Sequence, residues 1–176
     1  LPALSRLPRT WTLIYSLDQH GISLKTLYSK CEAAAAAAAK SRSSTKINGM
    51  LFVVKDSDGA IFGAWMGDGL RMSRGNEGYY GSGESFLWKW VEDNDELKVF
   101  RWTGRNDYVA LCEPGFISFG GGDGSYGLYL DDTLYEGTSA HSITFGNEVL
   151  CSSGPRLAGG AVGFECVGVE VWGVGS

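Results

Sequence analysis

The sequence predicts a mainly β fold, a two-sheet antiparallel β-sandwich with a flanking amino-terminal helix and short helical turns. Glycine fills 26 of the 176 positions, about twice its average use, and it separates short apolar runs. Only 4 prolines occur, and this composition is typical of many short strands joined by tight turns. Such strands bury their apolar faces by packing two sheets together or by closing a barrel. A chain of this length predicts one domain, residues 1–176.

The amino-terminal part predicts a short apolar strand over residues 11–17 and then the helix. Ser23 is suited to cap the helix amino terminus. One apolar stripe follows at helical spacing, formed by Leu24, Leu27, Tyr28 and Cys31. Residues 32–45, which contain seven consecutive alanines, are interpreted as a low-complexity insertion that is helical only near its start and then continues as a loop.

The remaining apolar runs predict strands that are separated by turn residues. A hairpin turn is expected at residues 56–59, a second turn at Pro114 and Gly115, and a solvated acidic hairpin tip at residues 92–96. The predicted strands cover residues 47–54, 61–65, 86–91, 97–102, 108–112, 116–119 and 126–131. In the last strand, the period of two places Val167, Val169 and Val171 on one face. Residues 138–142 are expected to form a polar turn with an exposed His141.

The charge distribution is uneven along the chain. Residues 1–46 carry seven basic and two acidic residues, a net charge of +5, whereas the whole chain has a net charge of −5. The basic residues are too dispersed for a nucleic-acid patch, so we expect a solvated surface or a segment that orients a partner or binds its own domain. No apolar run reaches the ~20 residues that cross a bilayer, so no membrane insertion is expected.

The cysteines and histidines do not form a metal-binding pattern. Cysteine occurs at 31, 112, 151 and 166 without any CxxC spacing, and the only histidines are His20 and His141. We therefore expect no zinc site and no disulfide framework, with Cys112 and Cys166 as buried apolar residues in a reducing compartment.

Two glycine-rich segments resemble cofactor loops only in part. A GxGxxG loop that begins at Gly81 would need glycine at Phe86, and a helix rather than a strand would have to follow. The loop at residues 120–124 lacks the Lys-Ser/Thr pair of a phosphate loop and contains Asp123. A GxSxG nucleophile turn around Ser85 would need glycine at Leu87. No cofactor is therefore expected.

A series of short blocks carries a resemblance to a known family. The blocks are residues 11–16, 23–28, 79–88, 102–104, 119–122, 128–131, 144–147 and 170–173. In this order, and over nearly the whole chain, they resemble a TLDc domain, the domain of the oxidation-resistance proteins. The chain departs from the family at Ser142, where members often carry cysteine. The resemblance implies the same β-sandwich and no assigned catalytic reaction.

The resemblance also implies a partner and a set of site residues. Several members bind the vacuolar-type proton ATPase, so the expected partner is its peripheral sector, contacted by a monomer in the cytoplasm. Some members are mitochondrial or associated with the vacuole. The candidate binding or supporting residues are Tyr80, Gly81, Gly83, Glu84, Ser85, Gly120, Gly121, Gly122 and Asp131, with Glu84 as the expected polar anchor.

An enzymatic function is the alternative hypothesis. A hydrolase or antioxidant site would use Glu84, Ser85 and His141. A deep polar pocket that joins these three side chains would favour the enzyme, whereas a shallow or filled site would favour a binding domain.

Overall fold

The fold is mainly β, with antiparallel strands and one long amino-terminal helix, as predicted. The computed structural model describes residues 10–40, 46–122, 124–152 and 154–175. The helices are α1 (Leu17–His20) and α2 (Leu24–Lys40). The strands are β1 (Thr10–Ser16), β2 (Ile47–Asp56), β3 (Ile61–Met66), β4 (Phe86–Val91), β5 (Glu96–Arg101), β6 (Ala110–Glu113), β7 (Phe116–Phe119), β8 (Leu128–Asp131), β9 (Glu136–Ser139) and β10 (Val162–Gly175).

Strand β10 pairs with strands of two different sheets. Residues 162–165 pair with β9, which begins the order β9-β8-β7-β6. Residues 166–175 pair with β2, which begins the order β2-β3-β4-β5, and residues 170–175 also pair with β1 on the other side. One strand therefore belongs to both sheets.

The two sheets bury their apolar faces against each other. Phe52 of β2 packs against Phe119 of β7 with ring centroids 5.4 Å apart. Phe62 of β3 meets Phe164 of β10 edge to face at 5.1 Å. These rings belong to one large buried cluster that contains side chains of both sheets and of α2. Aromatic contacts across the sheet interface thus fix the distance between the two layers.

A bulge in β10 contradicts the prediction that Val167, Val169 and Val171 lie on one face of the strand. Cys166 pairs with Asp56 and Gly168 pairs with Lys55, so Val167 is an extra residue on β10. Because a bulge breaks the period of two, Val167 is 50% exposed while Val169 and Val171 are buried. Cys166 is buried, as expected for an apolar thiol.

Helix α2 packs its predicted stripe on the core. The Ser23 side chain caps the helix by accepting a hydrogen bond from Thr26 N at 3.1 Å. Leu24, Leu27, Tyr28 and Cys31 are all buried. The expectation that helicity stops near residue 32 was wrong, because the helix continues through the alanines to Lys40. The rest of the predicted loop, residues 41–45, lies outside the described residues, as do the basic residues Arg6, Arg9 and Arg42.

The hairpins agree with the predicted turn chemistry, with one exception. The acidic tip at residues 92–96 is exposed between β4 and β5, and β6 turns into β7 at Pro114 and Gly115. The predicted polar turn at residues 138–142 was partly wrong, because Ser139 ends strand β9 and both Ser139 and Ser142 are buried. His141 is exposed as expected.

Neither helix in the described part of the chain is long and apolar enough to cross a membrane.

Truncating the apolar stripe of α2 should destabilise the whole domain. Leu27 is fully buried in the large core cluster, so we expect Leu27→Ala to lower the free energy of unfolding by about 2–5 kcal/mol. The exposed neighbour Ser29 provides the control, and Ser29→Ala should change that free energy by less than about 0.5 kcal/mol. Urea unfolding measures both, and equal effects of the two variants would contradict the docking of α2.

Candidate functional site

The predicted glycine blocks meet in one place, which we call the loop cluster. It consists of residues 79–85, 102–109, 119–122 and 142–147. Residues 79–85 lead into β4, residues 102–109 connect β5 to β6, residues 119–122 follow β7, and residues 142–147 follow β9. Backbone hydrogen bonds and buried side chains connect all four segments.

Tyr80 anchors the first segment to the sheet. Its backbone pairs with Ala110 through hydrogen bonds of 2.8 and 2.9 Å, which extends the edge of β6. Its hydroxyl donates to the Gly69 carbonyl oxygen at 3.2 Å and accepts from Arg71 N at 2.9 Å. The Arg71 guanidinium lies over the ring, 4.2 Å from its centroid. Burial raises the pKa of Tyr80, so the phenol stays neutral. Tyr80 therefore anchors residues 79–85 to the edge of the sheet at β6.

Gly81 and Gly83 allow the first segment to touch the second. Gly81 has a φ of 122°, and a Cβ at this position would lie 2.5 Å from Val109 Cγ1. A Cβ at Gly83 would lie 2.7 Å from the Trp102 ring. The backbone amide of Gly120 donates to the Val109 carbonyl oxygen at 3.0 Å, so Val109 lies between the two predicted glycine blocks. Larger side chains at either position would separate the segments.

Thr144 joins three of the four segments through one hydroxyl. Thr144 Oγ1 donates to Asn106 Oδ1 at 2.7 Å and accepts from the Gly121 backbone amide at 3.0 Å. Its carbonyl oxygen accepts from Thr103 N at 2.8 Å. Trp102 Nε1 donates to the Asn106 carbonyl oxygen at 2.7 Å, which fixes the indole beside Gly83. The side chain of Thr144 is fully buried.

Ser142 and Asn147 close the turn that carries Thr144. Ser142 Oγ donates to Asn147 Oδ1 at 2.6 Å. Asn147 Nδ2 donates to the carbonyl oxygens of Ala140 at 2.8 Å and Glu148 at 2.9 Å. These side chains satisfy backbone groups that no strand can pair, as burial requires. Ser142 is thus a buried hydrogen-bonding residue.

The predicted loop of Gly120, Gly121 and Gly122 is packed on its inner side. Gly120 and Gly122 have positive φ values of 82° and 121°. A Cβ at Gly120 would lie 2.7 Å from Ser142 Oγ, and one at Gly122 would lie 3.0 Å from Asn106 Nδ2. Neighbouring side chains therefore pack the inner side of the loop, while Gly121 and Gly122 line an open surface pocket of about 330 Å³ together with Tyr79, Tyr108 and Tyr126. Asp123, the acidic residue that argued against phosphate binding in the sequence, lies outside the described residues.

The structure does not assemble the alternative catalytic set. Glu84 is exposed, and its side chain lies over Gly67, where an added Cβ would come within 3.0 Å of the carboxylate oxygen. Ser85 is buried, and its hydroxyl has no hydrogen-bond partner among the described residues. His141 is exposed. A serine nucleophile needs a hydrogen-bonded base, and neither Glu84 nor His141 supplies one.

Asp131 lies apart from the hydrogen bonds that connect the cluster. It ends β8 and accepts hydrogen bonds from the backbone amide and the hydroxyl of Thr133, which form a local turn. It also lines a surface groove with residues of β9 and β10. The structure thus brings together eight of the nine predicted site residues in or around the loop cluster and places the ninth on another surface.

Sequence reasoning missed the residues that connect the cluster, namely Asn106, Val109 and Thr144. Asn106 stands in a short polar stretch that contains Gly104, which is a signal for side chains that satisfy loop backbone, whereas Thr144 lies between Ile143 and Phe145 and gave no such signal. Val109 gave no signal, because an apolar residue within the predicted strand 108–112 is expected to be core.

The four thiols are free and poorly activated. Burial raises the pKa of Cys31 and of Cys112 to about 12, although Tyr80 and Tyr28 hydrogen bonds oppose this shift at Cys112. Burial also raises the pKa of half-buried Cys151 to about 12 and of Cys166 to about 11. Reactive cysteines have lowered pKa values, so none of these thiols is prepared for nucleophilic or redox chemistry.

Comparison with known proteins agrees with the resemblance seen in the sequence. The TLDc domain profile matches residues 2–175. The chain is 43% identical over 172 residues to Oxidation resistance protein 1 of Cryptococcus neoformans var. neoformans serotype D, and the match covers 98% of this chain and 35% of the relative. It therefore spans about a third of that relative's length.

Two further relatives carry the same name. The chain is 42% identical over 175 residues to Oxidation resistance protein 1 of Yarrowia lipolytica, covering 99% of this chain and 68% of the relative. It is 40% identical over 148 residues to Oxidation resistance protein 1 of Homo sapiens, covering 81% of this chain and 15% of the relative.

Removing the Thr144 hydroxyl should loosen the loop cluster. Thr144→Val keeps the side-chain shape but leaves the Gly121 amide without its acceptor and Asn106 without one donor. We expect the free energy of unfolding to fall by about 2–3 kcal/mol. The exposed strand residue Thr12 is the matched control, and Thr12→Val should change that energy by less than about 0.5 kcal/mol. Urea unfolding that shows no difference between the two variants would contradict the role of Thr144.

The thiols should react slowly in the folded protein. With pKa values of about 11–12, only about one thiol in 10³–10⁴ is ionised at pH 8, and burial restricts access further. We expect labelling by a chromogenic disulfide reagent to be at least about a hundredfold slower than in the urea-unfolded chain, with Cys151 reacting first. Raising the pH towards 11 should accelerate the reaction. A thiol that reacts at its unfolded rate near pH 8 would contradict this assignment.

Proposed function

Because the chain belongs to the TLDc domain family, we propose that it is a non-catalytic regulatory domain that contributes to oxidative-stress resistance by binding the peripheral sector of the vacuolar-type proton ATPase. The proposal includes a monomeric state and a cytoplasmic location. The family membership supports the choice of partner. The geometry of the loop cluster supports a binding role rather than a catalytic one.

The observation that carries the non-catalytic assignment is that the interior of the loop cluster is filled by its own side chains, and that the described residues lining the open pocket at its surface include no carboxylate, imidazole or thiol. Trp102 covers Gly83, Val109 covers Gly81, and Ser142 and Phe145 cover Gly120. Catalytic sites are concave and hold a nucleophile, a base or a charge-stabilising group towards a substrate. A filled cluster presents a preorganised surface instead, which suits recognition of another protein.

The thiols support the same assignment. A direct antioxidant activity would need an accessible cysteine with a lowered pKa, whereas burial raises the pKa of all four cysteines. We therefore attribute oxidative-stress resistance to an interaction rather than to peroxide consumption by this domain.

Binding alone does not regulate an assembly. To shift the pump between assembled and disassembled states, the domain must bind one state more tightly than the other, and the shift equals the difference in binding free energy. A rigid surface suits this task because little conformational entropy is lost when it docks.

Glu84 is the side chain of the loop cluster that we assign to the partner. It is exposed, and its position is fixed because residues 81–85 follow the backbone pairing of Tyr80 and precede β4. The Ser85 amide donates to the Ser82 carbonyl oxygen at 3.1 Å, which holds the turn that presents it. A carboxylate held in this way is suited to a basic or amide-rich partner surface.

Substituting Glu84 should weaken pump binding without unfolding the domain. The test measures binding of the purified peripheral sector to the immobilised chain by biolayer interferometry. We expect Glu84→Ala to weaken binding by about tenfold, because an ordered polar anchor contributes on the order of 1.4 kcal/mol. The control Glu32→Ala removes an exposed carboxylate on α2 and should bind as the wild type does.

One result would reject the pump as the partner, and a different result would reject Glu84 as the anchor. Absence of binding by the folded wild-type chain at micromolar concentrations would reject the pump as partner. Equal binding of the wild type, Glu84→Ala and Glu32→Ala would keep the pump and reject Glu84 as the anchor.

A further inference from the structure

An open groove of about 670 Å³ lies on the outer face of β8, β9 and β10, away from the contacts that join the loop cluster. Gly137 and Phe164 are among its lining residues, and the Phe164 ring itself packs inward against Phe62. One wall is formed by Pro155 and Leu157, and the Leu157 side chain is 49% exposed. The groove thus offers both apolar surface and the outward polar side chains of three adjacent strands.

Three carboxylates form a row across these strands. Glu165 of β10 stands directly opposite Glu136 of β9. Leu130 pairs with Gly137, so the next position along the two strands places Asp131 of β8 beside Glu136. Asp58 lines the same groove. Like charges directly opposite each other on a sheet face destabilise it, so this row costs folding energy.

No basic side chain neutralises the row within the described part of the chain. The ion pairs found there are those of Arg71 with Glu77 and of Glu148 with Lys89 and Lys98. The described residues that line the groove include neither lysine nor arginine. Destabilising arrangements of this kind, when no neighbouring group offsets them, are found mainly at functional sites.

Aromatic rings stand next to the carboxylates. Tyr129 precedes Asp131 by two residues and therefore shares its face of β8. The rings of Tyr129 and Tyr126 stack with centroids 5.3 Å apart, and Phe116, the cross-strand partner of Asp131, lies 5.3 Å from Tyr129. Burial and the charge of Asp131 raise the pKa of Tyr129, so its ring remains a neutral phenol. Such faces attract cations.

We propose that this groove binds an extended, arginine-containing segment of a partner protein. The guanidinium group pairs with carboxylates through two parallel hydrogen bonds and also stacks on aromatic faces, which an ammonium group does less well. A metal ion fits poorly, because no three acidic, thiol or imidazole side chains converge as ligands within the described ranges. The inference goes beyond the proposed function and does not require the pump to be the partner.

The spacing of the row also fits an extended chain. Neighbouring strands lie about 4.8 Å apart, so the three carboxylates span roughly 10 Å. Side chains at alternate positions of an extended peptide point to the same side and are about 6.6 Å apart. Two arginines at alternate positions can therefore reach the three carboxylates while the intervening residue contacts the wall at Leu157.

The test uses a short fluorescent peptide in which valine and arginine alternate, with lysine and glutamate versions as comparisons. Fluorescence anisotropy at about 0.15 M salt measures its binding to the chain. The groove variant carries Glu136→Gln and Glu165→Gln. The matched control carries Glu92→Gln and Glu96→Gln at the exposed β4–β5 hairpin, with the same change in net charge. We expect the arginine peptide to bind at least about tenfold more weakly to the groove variant and within about twofold of wild type to the control.

Urea unfolding supplies an independent readout. Because the substitutions remove a like-charge pair, the groove variant should unfold at a higher urea concentration than the wild type while it binds the peptide less well. A lower unfolding midpoint would show that the carboxylates serve the fold, and it would overturn the proposal.

Four binding results would also overturn the proposal. Equal loss of affinity in both double variants would assign binding to net charge alone. Equal affinity for the arginine and lysine peptides would remove the role of arginine, and equal affinity for the glutamate peptide would remove the role of charge. Dimerisation of the wild type that is lost in the groove variant would make a second copy of the chain the occupant.

Discussion

The buried hydroxyl of Thr144 holds together segments that are far apart in the sequence. It bonds the Gly121 amide and the Asn106 side chain at once, while the backbone of Thr144 bonds Thr103. The three loops that it joins follow β5, β7 and β9, and Thr144 bonds backbone groups of these loops that lie outside the strand pairing. Because buried polar groups without partners are costly, the loops can pack together only where side chains provide the missing hydrogen bonds. The glycine positions and the orientation of Trp102 follow from this packing.

Strand β10 imposes a second constraint, because it belongs to both sheets. The bulge at Val167 lies where the pairing with β9 ends and the pairing with β2 continues. Beside it, buried Asp56 accepts hydrogen bonds from the backbone amides of Asp58, Ala60 and Ser152. This carboxylate ties the β2–β3 turn to the segment that approaches the groove. The change of sheet is therefore stabilised by local hydrogen bonds on the side where the groove opens.

Two surfaces with different chemistry result from this architecture. The loop cluster has a packed interior built from hydrogen-bonded turns, with Glu84 exposed at its border. The groove is open, acidic and partly aromatic, and it carries a like-charge row that no basic side chain of the described residues neutralises. If both surfaces bind as proposed, the domain would bring two partners together without an enzymatic reaction. Both features agree with a regulatory domain that acts by binding.

The sequence by itself determined the mainly β class, the capped amphipathic helix, most hairpins and the glycine blocks of the site. These features depend on neighbours within a few residues: side-chain period, the cap at Ser23, and turn residues such as Pro114 and Gly115. Tertiary structure alone decided the bulge at Val167, the strand at residues 136–139 and the filling of the loops by Val109 and Thr144. It also decided the alignment of Asp131, Glu136 and Glu165. Each of these depends on which distant strand or loop is the partner, and local sequence does not contain that information.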